Sequence, residues 1–338
     1  MLEISTPAFE VASQEEHEHD SITELLAIDK IDKAIEDIEQ ISSLADKSYR
    51  EGILPIEEIE KMYNDINVKF DDIIEMMTNP NNVYEFLNAK GLDRVVITNL
   101  ETPYTALRTN ILILLKTLFD MAPITINAVM PARMIDKVLD IFENDDDIGI
   151  KAHAIDVLHA WLPGNPRVQA RVMKVKGLVP FYEQMTKLDL KSLHTLLDLF
   201  NKVLEEHILV RQKKTQMTKR DSDELKMYQR IGLIEHMSRK DVCNGLLDIF
   251  RNTWASTSAE NDIVVPILDL SAKIGPFCLK SFKGKPKALD LFDAFLKYLK
   301  EDNRGEYFEK YDMNASNVET AIADYVNSLK QGNEKDEF

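Results

Sequence analysis

Several things are scarce in this chain, and each shortage removes a class of protein. Cysteine occurs twice in 338 residues, at Cys243 and Cys278. That excludes a multi-bridge disulfide framework and any all-cysteine zinc site. One bridge between the two is open to the chain, but free cysteine packs as a small hydrophobe, so two buried thiols are the expectation. Glycine is also sparse, at 11 residues. No Gly-rich phosphate loop and no Gly-x-Ser-x-Gly elbow occurs. There is no His-Glu-x-x-His and no i, i+4 histidine pair suited to zinc. No apolar run approaches the ~20 residues of a transmembrane helix. The most apolar window, residues 111–119, fits a buried helix. The start, Met1-Leu2-Glu3-Ile4, lacks the basic flank and apolar run of a secretory leader.

Positive charge is in deficit, with 41 Lys and Arg against 58 Asp and Glu, a formal −17. Residues 1–80 hold 21 acids and 6 bases, a net of −15, so the remaining body is nearly neutral at −2. Broad electrostatic binding of nucleic acid needs clustered Lys and Arg, which are missing. The hydrophobic fraction of 44% is ample for a packed core.

What is present is helical periodicity. Residues 1–20, with Glu15-Glu16-His17-Glu18-His19-Asp20, are expected to be a disordered acidic tail. His17 and His19 in a flexible tail make a poor metal site. From 21 to 80, two acidic amphipathic helices are expected as an N-terminal cap. The first opens on a Ser21/Glu24 capping-box spacing and carries a stripe of Ile22, Leu25, Ile28, Ile31, Ile35 and Ile38. The second runs over residues 56–77, and Asn79-Pro80-Asn81 ends it.

From 81 to 285 the sequence repeats. Leu92, Ile135 and Leu178 are each 43 residues apart, and each opens a short apolar helix followed by a longer one. The longer helices carry Ile111, Leu112, Leu115, Leu118, Phe119, then Ala154, Ile155, Leu158, Trp161, Leu162, then Leu196, Leu197, Phe200, Val203, Leu204. This period lies in the range of about 40–47 residues for armadillo or HEAT repeats. The stop Asn165-Pro166 favours armadillo. A polar, linker-like stretch at 211–224 precedes a more degenerate fourth unit, about 225–282. Capping helices are expected within 286–331, near 287–300 and 316–330. The predicted fold is therefore all-α, an armadillo-like right-handed superhelical solenoid of about four repeats with N- and C-terminal capping helices.

Nothing here indicates an enzyme, a cofactor or a metal centre. His153, His159 and His194 read as polar surface rather than ligands, and Asp145-Asp146-Asp147 as a solvated interhelix loop. The chemistry lies on a surface. Armadillo domains bind partners on the concave face built by the last helix of each repeat. By register the facing positions are Ile113, Thr117, Asp156, Ala160, Asp198 and Lys202, flanked by Thr109, Lys116, His153, His159, His194 and Asn201. None of the three facing pairs is the Trp-Asn pair with which import adaptors hold an extended basic peptide, so a folded domain is the better-fitting partner.

The C-terminal residues 332–338 end in Lys335-Asp336-Glu337-Phe338, one residue from the endoplasmic-reticulum retrieval signal. One N-glycosylation sequon occurs at Asn314-Ala315-Ser316. A lumenal chain needs a leader, so the natural start is expected upstream of Met1.

Together, the repeat with Asn165-Pro166-x-Val168-Gln169, the segment Leu225-x-x-Tyr228-x-x-x-x-Leu233, and Gly305-Glu306-Tyr307-Phe308 followed by Val326-Asn327-Ser328-Leu329-Lys330 carry a resemblance. Over roughly residues 80–330 the chain resembles the Sil-type nucleotide exchange factors of BiP, the endoplasmic-reticulum chaperone, and their cytosolic HspBP-type relatives. The terminal Lys-Asp-Glu-Phe selects the lumenal branch. It departs from the repeat pattern at Ala122-Pro123, where unit two has Asn165-Pro166, and at Met134, where units one and three have Gly91 and Gly177. The resemblance implies a monomeric co-chaperone in protein folding and translocation. It would wrap one lobe of the nucleotide-binding domain of a BiP-type seventy-kilodalton heat-shock chaperone, open its cleft and release ADP, with no nucleotide, nucleic acid or membrane insertion of its own. The alternatives are the same activity in the cytosol, and an armadillo scaffold that binds peptides or proteins without nucleotide coupling.

Overall fold

The structure, a computed structural model, describes residues 9–131, 133–212, 218–256, 262–301, 304–311 and 313–331. All of the regular structure among them is helical. The chain divides into two compact units, Met1–Met134 and Ile135–Phe338. That division falls where the second expected repeat opens, at Ile135.

The first unit begins with a long helix, α1 (Phe9–Glu51), followed by α2 (Ile56–Met76), α3 (Pro80–Asn88), a π-helical turn at Leu92–Val96, α4 (Ile97–Asn99), α5 (Thr105–Met121) and α6 (Pro123–Val129). Helix α1 is placed from Phe9, so it includes residues that composition alone assigned to an acidic tail, and it runs through Ser21 without a break. The segment 9–20 contains neither Gly nor Pro, and its acidic residues are compatible with helix. The expected stripe is buried where side chains are described: Ile31, Ile35 and Ile38 are fully inaccessible. It packs on α2, whose Ile59, Tyr63, Ile66, Phe70 and Ile73 are buried, and α2 in turn packs on α5. Burying each such side chain contributes ~1.5–3 kcal/mol.

Polar ties fix these elements in register. The Lys69 ammonium donates to Asp37 at 2.6 Å, Arg94 Nε to Glu39 at 2.9 Å, and Asn110 Nδ2 to Asp71 at 2.6 Å. The acidic helices are therefore one body with the first repeat.

The second unit, with α7 (Arg133–Asn144) starting at its boundary, continues α8 (Ile148–Trp161), α9 (Pro166–Val175), α10 (Val179–Met185), α11 (Leu190–Gln212), α12 (Lys219–Ile231), α13 (Leu233–Met237), α14 (Lys240–Ser256), α15 (Val264–Phe282), α16 (Pro286–Leu299), α17 (Arg304–Glu309) and α18 (Ala315–Lys330). In chain order this is the armadillo pattern, two shorter helices and then a longer one: α6–α7–α8, then α9–α10–α11. The core positions expected on the three long helices are all buried, from Ile111 at 0% to Val203 at 6% exposure. Asn165 caps α9, its side chain accepting from the Val168 amide at 3.3 Å, with Pro166 in the first turn.

The aligned glycines serve different needs, which explains the exception at Met134. A Cβ on Gly91 would lie 2.3 Å from the Phe86 ring, whereas Gly177 has φ of 66° and an open surround. Met134, fully buried, faces neither demand.

Two expectations fail here. The stretch 211–224 is not all linker: α11 runs to Gln212, and α12 begins at Lys219 behind a capping box. In that box Asp221 N donates to Thr218 Oγ1, and Thr218 N donates to Asp221 Oδ2. From Lys219 onward the polar composition that read as a linker belongs to a helix with one solvated face, and residues 213–217 lie outside the described residues. Nor are the cysteines thiols. Cys243 on α14 and Cys278 on α15 form a buried disulfide, with Cα atoms 5.6 Å apart across 35 residues of sequence. The packing of α14 on α15 sets that distance, and spacing in sequence does not reveal it.

The C-terminal end closes on aromatics. The Tyr325 ring of α18 lies against Gly275 of α15, where an added Cβ would come within 3.2 Å, and meets Phe292 of α16 edge-on at 4.8 Å. The observed α16 and α18 lie within two residues of the two expected capping helices.

Candidate functional site

The expected contact residues fall into two groups, one in each unit. In the first unit, α5 carries Thr109, Ile113, Lys116 and Thr117, all half-buried. Both threonine hydroxyls are spent on their own helix, Thr109 donating to Thr105 O at 3.2 Å and Thr117 to Ile113 O at 3.0 Å. Lys116 pairs with Asp120 one turn on. That face offers a partner an aliphatic centre and little free hydrogen-bonding capacity.

The second group is on α8 and α11, and it is electrostatically organised. Helix α8 is positioned by a buried cation: Lys151 Nζ donates to Glu143 O at 3.0 Å and to Gln184 Oε1 at 2.8 Å. Burial pushes its ammonium pKa down. Helix α11 is held by a buried polar node. His207 meets Gln169 Oε1 at 3.0 Å, and Gln169 Nε2 donates to Leu162 O and to Glu206, each at 2.9 Å. Glu206 also accepts from the Gly164 amide at 2.6 Å. Burial drives the His207 pKa down to about 4, with the Arg211 charge adding to it, so the ring is neutral at neutral pH.

On the surface these helices present, Asp198 is the hub. It contacts His159 Nε2 at 2.7 Å and Lys202 Nζ at 2.9 Å, and those two nitrogens lie 3.1 Å apart. One imidazole nitrogen cannot donate to Asp198 and accept from Lys202 at once. Burial raises the Asp198 pKa, but hydrogen bonds from His159 and Lys202 outweigh it and hold the carboxyl down to about 2. Asp198 is thus an anion, and His159 Nε2–H is assigned as its donor. His153 and Asp156 form a looser pair at 3.9 Å. Ala160 and His194 are half-buried beside them.

Asn201 does not belong with these. It is 3% exposed, and its Nδ2 donates to Pro266 O of α15 at 3.0 Å. Its amide nitrogen is committed to a tie between helices, because α15 reaches over that flank, and the residue lines the floor of the groove between them.

The same helix supplies what sequence reasoning missed. Lys273 Nζ donates to Asp269 at 2.6 Å on its own helix and to Glu205 of α11 at 3.2 Å. Burial raises the Asp269 pKa against the lowering pull of Lys273. A groove of about 850 Å³ runs between α11, α15 and α18 and joins Asp198 to Asp269 and Lys273. The signal was an i, i+4 Asp–Lys pair on both helices, Asp198/Lys202 and Asp269/Lys273. Their offset of 71 residues is far from the repeat period, because α12 and its approach lengthen the fourth unit.

Asn314 caps α18 at the groove's edge. No group of three or more His, Cys, Asp or Glu able to hold a metal occurs among the described residues. Lys335, Asp336, Glu337 and Phe338 lie outside the described residues, as does the rest of the tail after 331.

No family model matches the chain. It is similar to a nucleotide exchange factor, SIL1 of Xenopus laevis, at 22% identity over 294 residues, covering 78% of this chain and 62% of the relative. The chain thus matches less than two thirds of that relative's length. Among solved structures it resembles SYS-1, with a TM-score of 0.58 at 11% identity over 90% of this chain and 50% of that one. SYS-1 in complex with POP-1 gives 0.57 at 13% identity, covering 89% and 49%. The fold is therefore all-α and armadillo-like, and the chain is similar in sequence to a Sil-type exchange factor.

Proposed function

We propose that this protein is a nucleotide exchange factor that binds the nucleotide-binding domain of a BiP-type chaperone in the endoplasmic-reticulum lumen and promotes ADP release. The similarity to SIL1 over 78% of the chain carries this reading. The lumenal placement draws support from the Cys243–Cys278 disulfide, since such bonds persist in oxidising compartments. The sequon at Asn314 points the same way.

The physics requires no catalytic group on the exchange factor. It must bind the open, nucleotide-free arrangement of the chaperone lobes better than the closed one. Nucleotide then weakens the factor's binding by the same ratio, and a coupling of about 1–3 kcal/mol gives roughly 5–150-fold. A rigid face suits this task. The α8–α11 surface, locked by the Asp198 hub and the node beneath it, offers fixed charges to a folded lobe.

The test is release of labelled ADP from a BiP-type chaperone with substoichiometric amounts of this protein. Release should accelerate, and the double charge reversal D156K/D198K should abolish most of the gain while the circular dichroism is unchanged. Chaperone binding that is indifferent to ADP and ATP would instead mark a passive scaffold. An unaltered rate with the folded double variant would remove the α8–α11 face from the interface.

A further inference from the structure

We propose that Asn314 carries an N-linked glycan at the mouth of the α11–α15–α18 groove and that this glycan denies the groove to a protein partner. The proposal rests on the lumenal reading above, and it assigns a covalent control to the same surface.

The acceptor has the required sequence, Asn314-Ala315-Ser316, with no proline between. Both Asn314 and Ser316 are exposed. The side chain is engaged through one end: Oδ1 accepts from the Asn317 amide at 3.0 Å as the cap of α18. A glycan is attached at Nδ2, which that bond does not use. The cap and the sugar are therefore compatible, and glycosylation need not unwind α18.

Position makes the modification consequential. Asn314 and Asn317 both line the groove, across from Asp198 and Asp269. Helix α18 cannot carry a sugar away from that mouth by swinging outward, because Tyr325 is wedged against Gly275 and Phe292. An oligosaccharide is bulky and well hydrated. Attached to a residue that lines the 850 Å³ groove, it occupies space that a protein chain seated there would need.

The experiment uses the full chain, secreted from eukaryotic cells behind an added leader. Removal of a sugar by endoglycosidase should shift its mobility, and S316A, which keeps the Asn314 cap, should lack the shift. Secreted wild type without sugar overturns the proposal. Shielding is read without any chaperone. Ala321, exposed and lining the groove, lies two turns along α18 from Asn314, ~10 Å by helical rise. In A321C, a bulky polymer-maleimide should label the glycosylated chain several-fold more slowly than the S316A/A321C chain, while a small maleimide labels both alike. Equal labelling by the bulky reagent overturns the shielding. Binding to a BiP-type nucleotide-binding domain should then be about tenfold tighter for S316A than for glycosylated wild type, about 1.4 kcal/mol. Equal, measurable affinities overturn the control of the partner. Absence of binding by both forms, with shielding intact, refutes the chaperone reading instead and leaves the glycan as the cover of a groove.

Discussion

Removing the Cys243–Cys278 bridge should cost the second unit several kcal/mol. The bridge closes a loop of 35 residues between α14 and α15. Loop-closure entropy for that length amounts to about 4 kcal/mol at room temperature. In a unit spanning Ile135–Phe338, about 1 kcal/mol shifts Tm by roughly 2–4 °C, so reduction should lower it by about 8–16 °C. The assay has a built-in local reporter. Trp161 and Trp254 are the only two tryptophans, and both lie in the second unit, so their fluorescence follows that unit alone. Reduction of the wild type isolates the loop effect. The C243A/C278A variant adds the loss of two sulfurs from a site with no solvent access and should fall further. Two free thiols titrating in the denatured, unreduced protein would refute the pairing. A fluorescence midpoint unmoved by reduction would refute the magnitude.

Acid should also destabilise the second unit, through His207. Its folded pKa of about 4 lies below the ordinary 6.5, so the unfolded chain binds more protons between these values. Stability is full above pH 6.5 and falls by about 3 kcal/mol as pH drops through 4, a loss that H207F should remove from urea midpoints measured across that range. G91A should destabilise the first unit by about 1–3 kcal/mol through collision with Phe86, visible as a drop in circular-dichroism midpoint. N201A should cost about 1–2 kcal/mol by leaving Pro266 O without its side-chain donor, with ADP-release activity retained at temperatures below unfolding. A selective loss of activity in N201A would return that residue to the interface.

The sequence by itself determined the helical class and the repeat. Apolar residues at helical spacing, recurring at 43 residues, have few ways to be buried other than stacked helices, and every core position on the three long helices is inaccessible. Register in the sequence also grouped Asp156, His159, Asp198 and Lys202, of which His159, Asp198 and Lys202 are in direct contact. Tertiary structure decided what spacing cannot encode. It paired Cys243 with Cys278, because helix packing sets Cα distances. It drew Asn201 inside, because α15 arrives over that flank. It built the groove from Asp198, Asp269 and Lys273, residues brought together although their separation breaks the repeat period. It also joined the acidic N-terminal helices to the first repeat, through buried isoleucines whose partners lie on another helix. Periodicity reports which face of a helix is apolar. Only the packed helices show what that face meets.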